Sequence, residues 1–324
     1  MVDKMLDYKN ELPVELIAPD ISSYKKSNTG IDYVHTFDSG KHGPHVFISA
    51  VVHGNEPCGA IALDWLFKKE EIPKRGKLSL GFMNIEAYLA FDPSNPNRTR
   101  WVDEDFNRLW GPGVLDDKER KQTSEYLRAR EVKPIIAEVD FLLDIHSMQK
   151  PCIPLMMAGM EQKGLDLAKS VGMKIPTIID SGHKEGMRMR DFGEFSNPSS
   201  IKNALLVECG QHWEKSSEPI AIETTIRFIR NTGIMGNEFG LEYLPKSDND
   251  SKIQFLKVGK IITIKTKNFK FEKNWQGFDC LKKGEIIGYD DEEVIEAPFD
   301  QTFLIMPSKR LFVGKTAVRL AYPV

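Results

Sequence analysis

Cysteine is scarce in this chain. Cys58, Cys152, Cys209 and Cys280 are far apart and none forms a Cys-x-x-Cys pair, which excludes a disulfide framework and a thiolate zinc knuckle. Charge of one sign is also lacking: the formal net charge is only −3, so net charge offers no argument for a nucleic-acid or anionic-membrane partner. No apolar run approaches the roughly 18 residues that span a bilayer. The start, Met1-Val2-Asp3-Lys4-Met5-Leu6-Asp7, has acidic residues where a signal peptide needs its apolar core. These absences point to a reduced, cytoplasmic protein with cysteines mostly in the core. The oligomeric state stays open, a homo-oligomer included. What is present is ordinary globular material, 41% hydrophobic and 28% charged over 324 residues, enough for two domains or one with an appendage.

The stretch with most chemistry is His53-Gly54-Asn55-Glu56, directly after the apolar run His45 to Val52. An imidazole and a carboxylate three residues apart at a strand end can both reach one metal ion, and zinc accepts mixed nitrogen and oxygen donors. With seven His in the chain the pair is weak by itself. The surrounding pattern strengthens it. Residues 1 to about 30 read as an irregular lead-in with at most an edge strand, and Ile31–Phe37 as a strand. Pro57 fits a first helical position, and Ala60–Lys68 continues as a helix. Leu78–Met83 is a strand, Pro93–Gly113 a long polar loop, and the charged stretch Asp116–Val132 a solvated surface helix. Val139–His146 is a nearly continuous apolar run, as a strand buried on both faces should be. Leu155–Gly159 reads as a strand and Gln162–Val171 as a helix. Ala204–Glu208 repeats the apolar strand with a charged end, and Glu218–Thr232 is a helix.

Alternating strands and helices predict an α/β fold: a mixed, largely parallel sheet flanked by helices over residues 1–240. Pro245–Ser251 reads as a linker. From 241 to 324 short β runs predict a smaller all-β barrel or sandwich domain: Ile253–Val258, Lys260–Lys265, Gly284–Tyr289, Val294–Pro298, Thr302–Met306 and Ala317–Tyr322. Ligands of such sheets bind beyond the carboxyl ends of the strands, where His53, His146 and Glu208 all lie.

In Asp144-Ile145-His146-Ser147, strand alternation puts Asp144 and His146 on one face, so the carboxylate can orient the imidazole or its neighbours. His146 as third ligand leaves a fourth position open, the mark of a catalytic site. Glu208, in Val207-Glu208-Cys209-Gly210-Gln211-His212, is the candidate general base. A carboxylate ending an apolar strand is poorly solvated, and its pKa should rise to suit proton transfer. Standing alone it would read as an edge carboxylate in a salt bridge. The segment Arg100-Trp101-Val102-Asp103-Glu104-Asp105-Phe106-Asn107-Arg108 offers a substrate grip, because a guanidinium binds carboxylates bidentately and a cation near a scissile carbonyl stabilises its oxyanion.

His53-Gly54-Asn55-Glu56, Asp105-Phe106-Asn107-Arg108, Asp144-Ile145-His146-Ser147 and Val207-Glu208-Cys209-Gly210 together resemble the motif set of the succinylglutamate desuccinylase/aspartoacylase family, relatives of zinc carboxypeptidases. The match runs in order across residues 45 to 212. The resemblance implies one Zn²⁺ per chain on His53, Glu56 and His146, with Glu208 as catalytic base and acid. It further implies that Arg100 polarises the substrate carbonyl while Asn107 and Arg108 hold a substrate carboxylate. Asp105 and Asp144 are the supporting carboxylates. The expected reaction is hydrolysis of the amide of an N-acylated amino acid, with the C-terminal β domain shaping the entrance. Cys209-Gly210-Gln211-His212 departs from the Val-Gly-Pro-Gln that follows the glutamate in the aspartoacylase pattern, and the remaining substrate contacts have no clear counterparts. Arg188 and Arg190 are candidates from their nearness in sequence to the Glu208 strand. A segment from Leu281 to Pro298 also resembles biotinyl/lipoyl-type β folds, but it has no Met-Lys-Met or Asp-Lys-Ala at a hairpin tip, so a structural or gating role fits better than a carrier role. Two other readings stand beside the deacylase: a zinc carboxypeptidase acting on peptides, and a non-catalytic binding module on the same fold.

Overall fold

The computed structural model describes residues 10, 12–182, 185–246, 253–309 and 311–324. The expected linker lies largely outside them, as does the start of the lead-in. The rest of the lead-in is irregular apart from a 3-10 turn at Ser22–Tyr24, with no strand before Val34 among the described residues.

Three apolar segments make the centre: β2 (His45–Ala50), β4 (Phe141–Met148) and β7 (Asn203–Gln211), following the edge strand β1 (Val34–Asp38) and flanked by β3 (Lys77–Phe82). β2 pairs in parallel with β3 and β4, and β4 with β7, while β1 closes the edge antiparallel to β3. Strand alternation divides the side chains between two layers. Val46, Ile48, Leu143, Ile145, Leu205 and Val207 enter one core with helices α1 (Pro57–Lys69), α4 (Gln162–Val171) and α5 (Ser217–Thr232). Phe47, Leu142 and Ala204 face the other way, against Tyr126, Ala129, Val132 and Ile136 of α3 (Ser124–Glu138). The remaining helix, α2 (Ile85–Leu89), is a short one after β3. No described helix is long and apolar enough to cross a membrane.

The charged stretch after Asp116 differs from its sequence reading. The helix starts only at Ser124, where Thr123 Oγ1 accepts from Tyr126 N at 3.1 Å, and runs on through Pro134 to Glu138. It is not a solvated element throughout. Glu125 is fully buried and accepts from the backbone N–H groups of Val102, Asp103 and Glu104 at 2.6, 3.0 and 3.2 Å. One helix carboxylate thus anchors the loop that carries Arg100 to Arg108.

Beyond β7 the sheet continues through β5 (Leu155–Met157), antiparallel to β7, and β6 (Thr177–Ile179) to β8 (Phe255–Thr263). The C-terminal strands β14 (Thr316–Pro323), β13 (Thr302–Ile305) and β10 (Cys280–Leu281) then extend it. A second sheet of β12 (Glu293–Glu296), β11 (Ile286–Asp290) and β9 (Lys270–Phe271) packs on the extension through Ile262, Trp275, Ile287, Ile295, Leu304 and Leu320. The C-terminal part is therefore all-β and sandwich-like, as expected. The runs read as 253–258 and 260–265 are one bulged strand, because β8 shifts register against β14 rather than turning.

Candidate active site

Beyond Ala50 the backbone turns sharply. Val51, a β-branched residue, sits at φ 62, a conformation that L side chains avoid and that is held here by its buried surroundings. The next segment, His53 to Glu56, lies against the Arg100 loop, with Gly54 N donating to Arg100 O at 3.0 Å. A Cβ on Gly54 would come within 2.3 Å of the Ala87 backbone and 2.5 Å of Thr99 O, so only glycine allows this approach.

Glu56 ends the segment as the residue before α1, and its two oxygens face two imidazoles: Oε1 lies 2.7 Å from His53 Nδ1 and Oε2 lies 3.0 Å from His146 Nδ1. One donor atom from each of the three residues falls within 4.8 Å of the others, and all three residues are buried. The outer nitrogens have carboxylate neighbours, His53 Nε2 at 3.0 Å from Asp105 Oδ1 and His146 Nε2 at 2.9 Å from Asp144 Oδ2. Asp144 is itself held by Ser49 Oγ at 2.7 Å.

Burial disfavours charge on Glu56, but His53 and His146 outweigh it and hold the carboxyl well below the usual range. On His146 burial is likewise outweighed by Asp144 and Glu56, and its proton is held well above the usual histidine range. Two imidazoles ringed by three carboxylates thus call for positive charge at their centre. Inward Nδ1 atoms with outer carboxylate partners are a donor set that suits a divalent cation such as zinc.

His146 and Glu208 are register partners on β4 and β7, so both project from the same face of the sheet. Glu208 Oε2 is buried with no hydrogen-bond partner, and burial pushes the carboxyl up to about 8. His212, four residues on, is driven the other way by burial, to about 3, and so stays neutral while Ser147 Oγ lies 2.8 Å from its Nδ1. Arg100 reaches the same point, with Nη2 at 3.0 Å from His53 Nε2 and Nη1 at 3.2 Å from Glu56 Oε1.

These groups open into a cavity of about 870 Å³. Asn107 and Arg108 line it. Asn107 Oδ1 accepts from Met189 N at 2.8 Å and its Nδ2 lies 3.4 Å from His146 Nε2, so this amide also fastens the 186–191 segment. Gly186, at φ 149, lets that segment lie on the Arg108 backbone, where a Cβ would meet Arg108 O at 2.0 Å. Arg188 lines the cavity while held by Asp191 and Asp180. Arg190 is not brought to this cavity. Its Nη2 donates to Ala158 O and Ala204 O, and its Nη1 to Asp191. The C-terminal part was expected at the entrance, but none of its residues was named from sequence; Trp275, Phe312, Lys315 and Arg319 line the cavity. Strand alternation around Arg319 was the available signal: a cation inside the apolar run Ala317–Ala321 has to face something polar.

An α/β sheet with buried donors at the carboxyl ends of its parallel strands, opening on a cavity, makes a zinc carboxypeptidase-like fold whose His53, Glu56 and His146 could hold a metal ion. The chain belongs to the succinylglutamate desuccinylase/aspartoacylase family, whose catalytic domain residues 42–232 match. It is 23% identical over 330 residues to the succinylglutamate desuccinylase of Vibrio campbellii, covering 96% of this chain and 90% of that protein. Among solved structures it resembles the succinylglutamate desuccinylase of Chromobacterium violaceum (TM-score 0.64, 15% identity, 90% of this chain and 89% of that one). It also resembles murine aminoacylase 3 (TM-score 0.61, 18% identity, 88% and 96%). The family supports an acyl-amino-acid deacylase acting on small molecules.

Proposed function

We propose that this chain is a zinc-dependent hydrolase that cleaves the amide bond of an N-acylated amino acid. The observation that carries this reading is the convergence of His53, Glu56 and His146 beside Glu208, whose Oε2 is buried without a hydrogen-bond partner. His53 and His146 through Nδ1, and Glu56 through a carboxylate oxygen, would hold one Zn²⁺ per chain. When bound, that ion supplies Lewis-acid chemistry for amide hydrolysis.

Glu208 takes a proton from the attacking water and returns it to the leaving amine, a task suited to a carboxyl that burial pushes up to about 8. Arg100 donates to the carbonyl oxygen as it gains charge. Asn107 and Arg108 hold the substrate's carboxylate, and Asp105 and Asp144 fix the tautomers of His53 and His146. Residues 1–240 form the catalytic domain and 241–324 the part that narrows the entrance. The free thiols fit a reduced, cytoplasmic setting.

The test is metal analysis of the purified chain together with a panel of N-acyl amino acids and short peptides. One zinc per chain, loss of activity with a chelator and its return with Zn²⁺ are expected, with N-acyl amino acids preferred. A preference for peptides would replace this reading with a carboxypeptidase. Tight binding without turnover would make the chain a binding module.

A further inference from the structure

We infer that a second pocket, lined by Asp180 and Arg190, binds a small zwitterion of the free α-amino acid class. Neither residue lines the active cavity, and the inference goes beyond the deacylase reading and stands without it.

The pocket measures about 220 Å³. It lies where the ends of β5 and β6 meet the start of α4 and the segment before β7. Met160 and Ser181 on its wall are exposed, so it reaches the surface. Met187 is the one described residue that borders both this pocket and the active cavity.

Four buried polar side chains stand on the wall, and two of them are served within the protein. Asn203 Nδ2 donates to Lys163 O at 2.7 Å, and its Oδ1 accepts from Ala204 N at 2.9 Å. Asp191 divides its oxygens between Arg188 and Arg190. The other two each keep one atom unpaired. Asp180, fully buried, has Oδ2 at 3.3 Å from Arg188 Nη1 and 3.2 Å from Arg319 Nε, whereas its Oδ1 is buried with no hydrogen-bond partner. Arg190, 2% exposed, donates through Nη1 to Asp191 and through Nη2 to Ala158 O and Ala204 O. Its Nε is buried with no partner.

An orphaned acceptor on an anion and an orphaned donor on a cation, both on the wall of one pocket, are costly to keep unless something fills the space. A single ordered water needs only roughly 10–15 Å³, and drug-sized ligands take about 300–1,000 Å³. The observed 220 Å³ falls between, at the scale of one amino acid. Charge then sets the chemistry. Asp180 Oδ1 calls for an N–H, best a cationic one, and Arg190 Nε for an oxygen, best an anionic one. An α-amino acid carries an ammonium and a carboxylate on one carbon and answers both. Seated there, it would touch the carboxylate whose other oxygen holds Arg188 at the wall of the active cavity.

The test is calorimetry of the purified chain with glycine, methylammonium and acetate. Glycine is expected to bind saturably and at least about tenfold more tightly than either single-ended probe. Asp180→Asn is expected to weaken glycine by at least about tenfold, while Arg108→Gln, in the active cavity, leaves it within about threefold. If Asp180→Asn does not fold, a crystal soaked in glycine decides, with ligand density expected between Asp180 and Arg190. No glycine binding, a single-ended probe that binds as tightly as glycine, an equal loss in Arg108→Gln, or ordered water alone in the soaked pocket overturns the inference. No turnover is needed, so a failure of the deacylase reading leaves this result untouched.

Discussion

Asp191 accepts from Arg188 Nε at 2.7 Å and Arg190 Nη1 at 2.6 Å, and it is 7% exposed. Burial raises its pKa, but the two guanidinia outweigh burial and hold the carboxyl below its ordinary 3.8. A carboxyl depressed in the folded state stabilises above its unfolded pKa, and that contribution is lost as pH falls through the folded value. Asp191→Asn should therefore cost about 3 kcal/mol at pH 7, by leaving two buried guanidinia short of an anion. The deficit should shrink below about pH 4. Urea unfolding of both proteins at pH 7 and pH 3.5 checks this, and a deficit that grows on acidification would contradict it. At this scale the sequence was most legible where an apolar run ended in a single polar residue. His53, His146 and Glu208 each stand at such an end, and the structure brings them together at neighbouring strand ends. The surroundings of Arg190 were not legible, since its carbonyl partners come from just after β5 and from β7, and Arg319 left only the sign of a cation inside an apolar strand. Arg190 looked like a site residue by nearness in sequence and is bound to backbone carbonyls instead.

The loop from Gly54 to Glu56 shows how elements position chemistry. Its approach to the Thr99–Arg100 backbone leaves no room for a methyl group, and the atoms in the way are mostly backbone, which cannot swing aside. Gly54→Ala is predicted to destabilise the chain by about 1–3 kcal/mol through overpacking. It should also separate Arg100 from His53, so activity should fall more than the drop in melting temperature explains. A variant that melts normally and turns over normally would show that the contact is not needed. Helices read from periodicity came close: Gln162–Val171 has the observed bounds, and Glu218–Thr232 starts one residue late. The helix after Asp116 was misplaced because its start is set by the Thr123 cap. Its charged residues looked solvent-facing, although Glu125 is turned inward to hold three backbone donors.

At the scale of the molecule, one sheet connects the two parts. β6 pairs in parallel with β8, and Ile178, Leu206, Leu256, Ile305 and Ala321 share a cluster across that join. A chain cut after residue 240 would expose the β6 edge and this apolar face and leave Asp180 without Arg319. It is predicted to aggregate or unfold rather than persist as a soluble catalytic unit. A monodisperse, folded fragment by size exclusion and circular dichroism would contradict that. The β character of the last eighty or so residues was legible from short runs between Gly and Pro turns. The extension of the catalytic sheet was not, because strand partners so distant in sequence leave no local pattern.

Glu208 beside the His53, Glu56 and His146 centre is the group on which the proposed hydrolysis depends. The decisive measurement is the rate of N-acyl amino acid hydrolysis by zinc-loaded Glu208→Gln, with the metal content of the same sample determined alongside. About one zinc per chain, as in the wild type, and a fall in kcat of at least about 100-fold, the scale of a lost general base, are expected. Glu208→Gln that keeps its zinc and hydrolyses at the wild-type rate would contradict it.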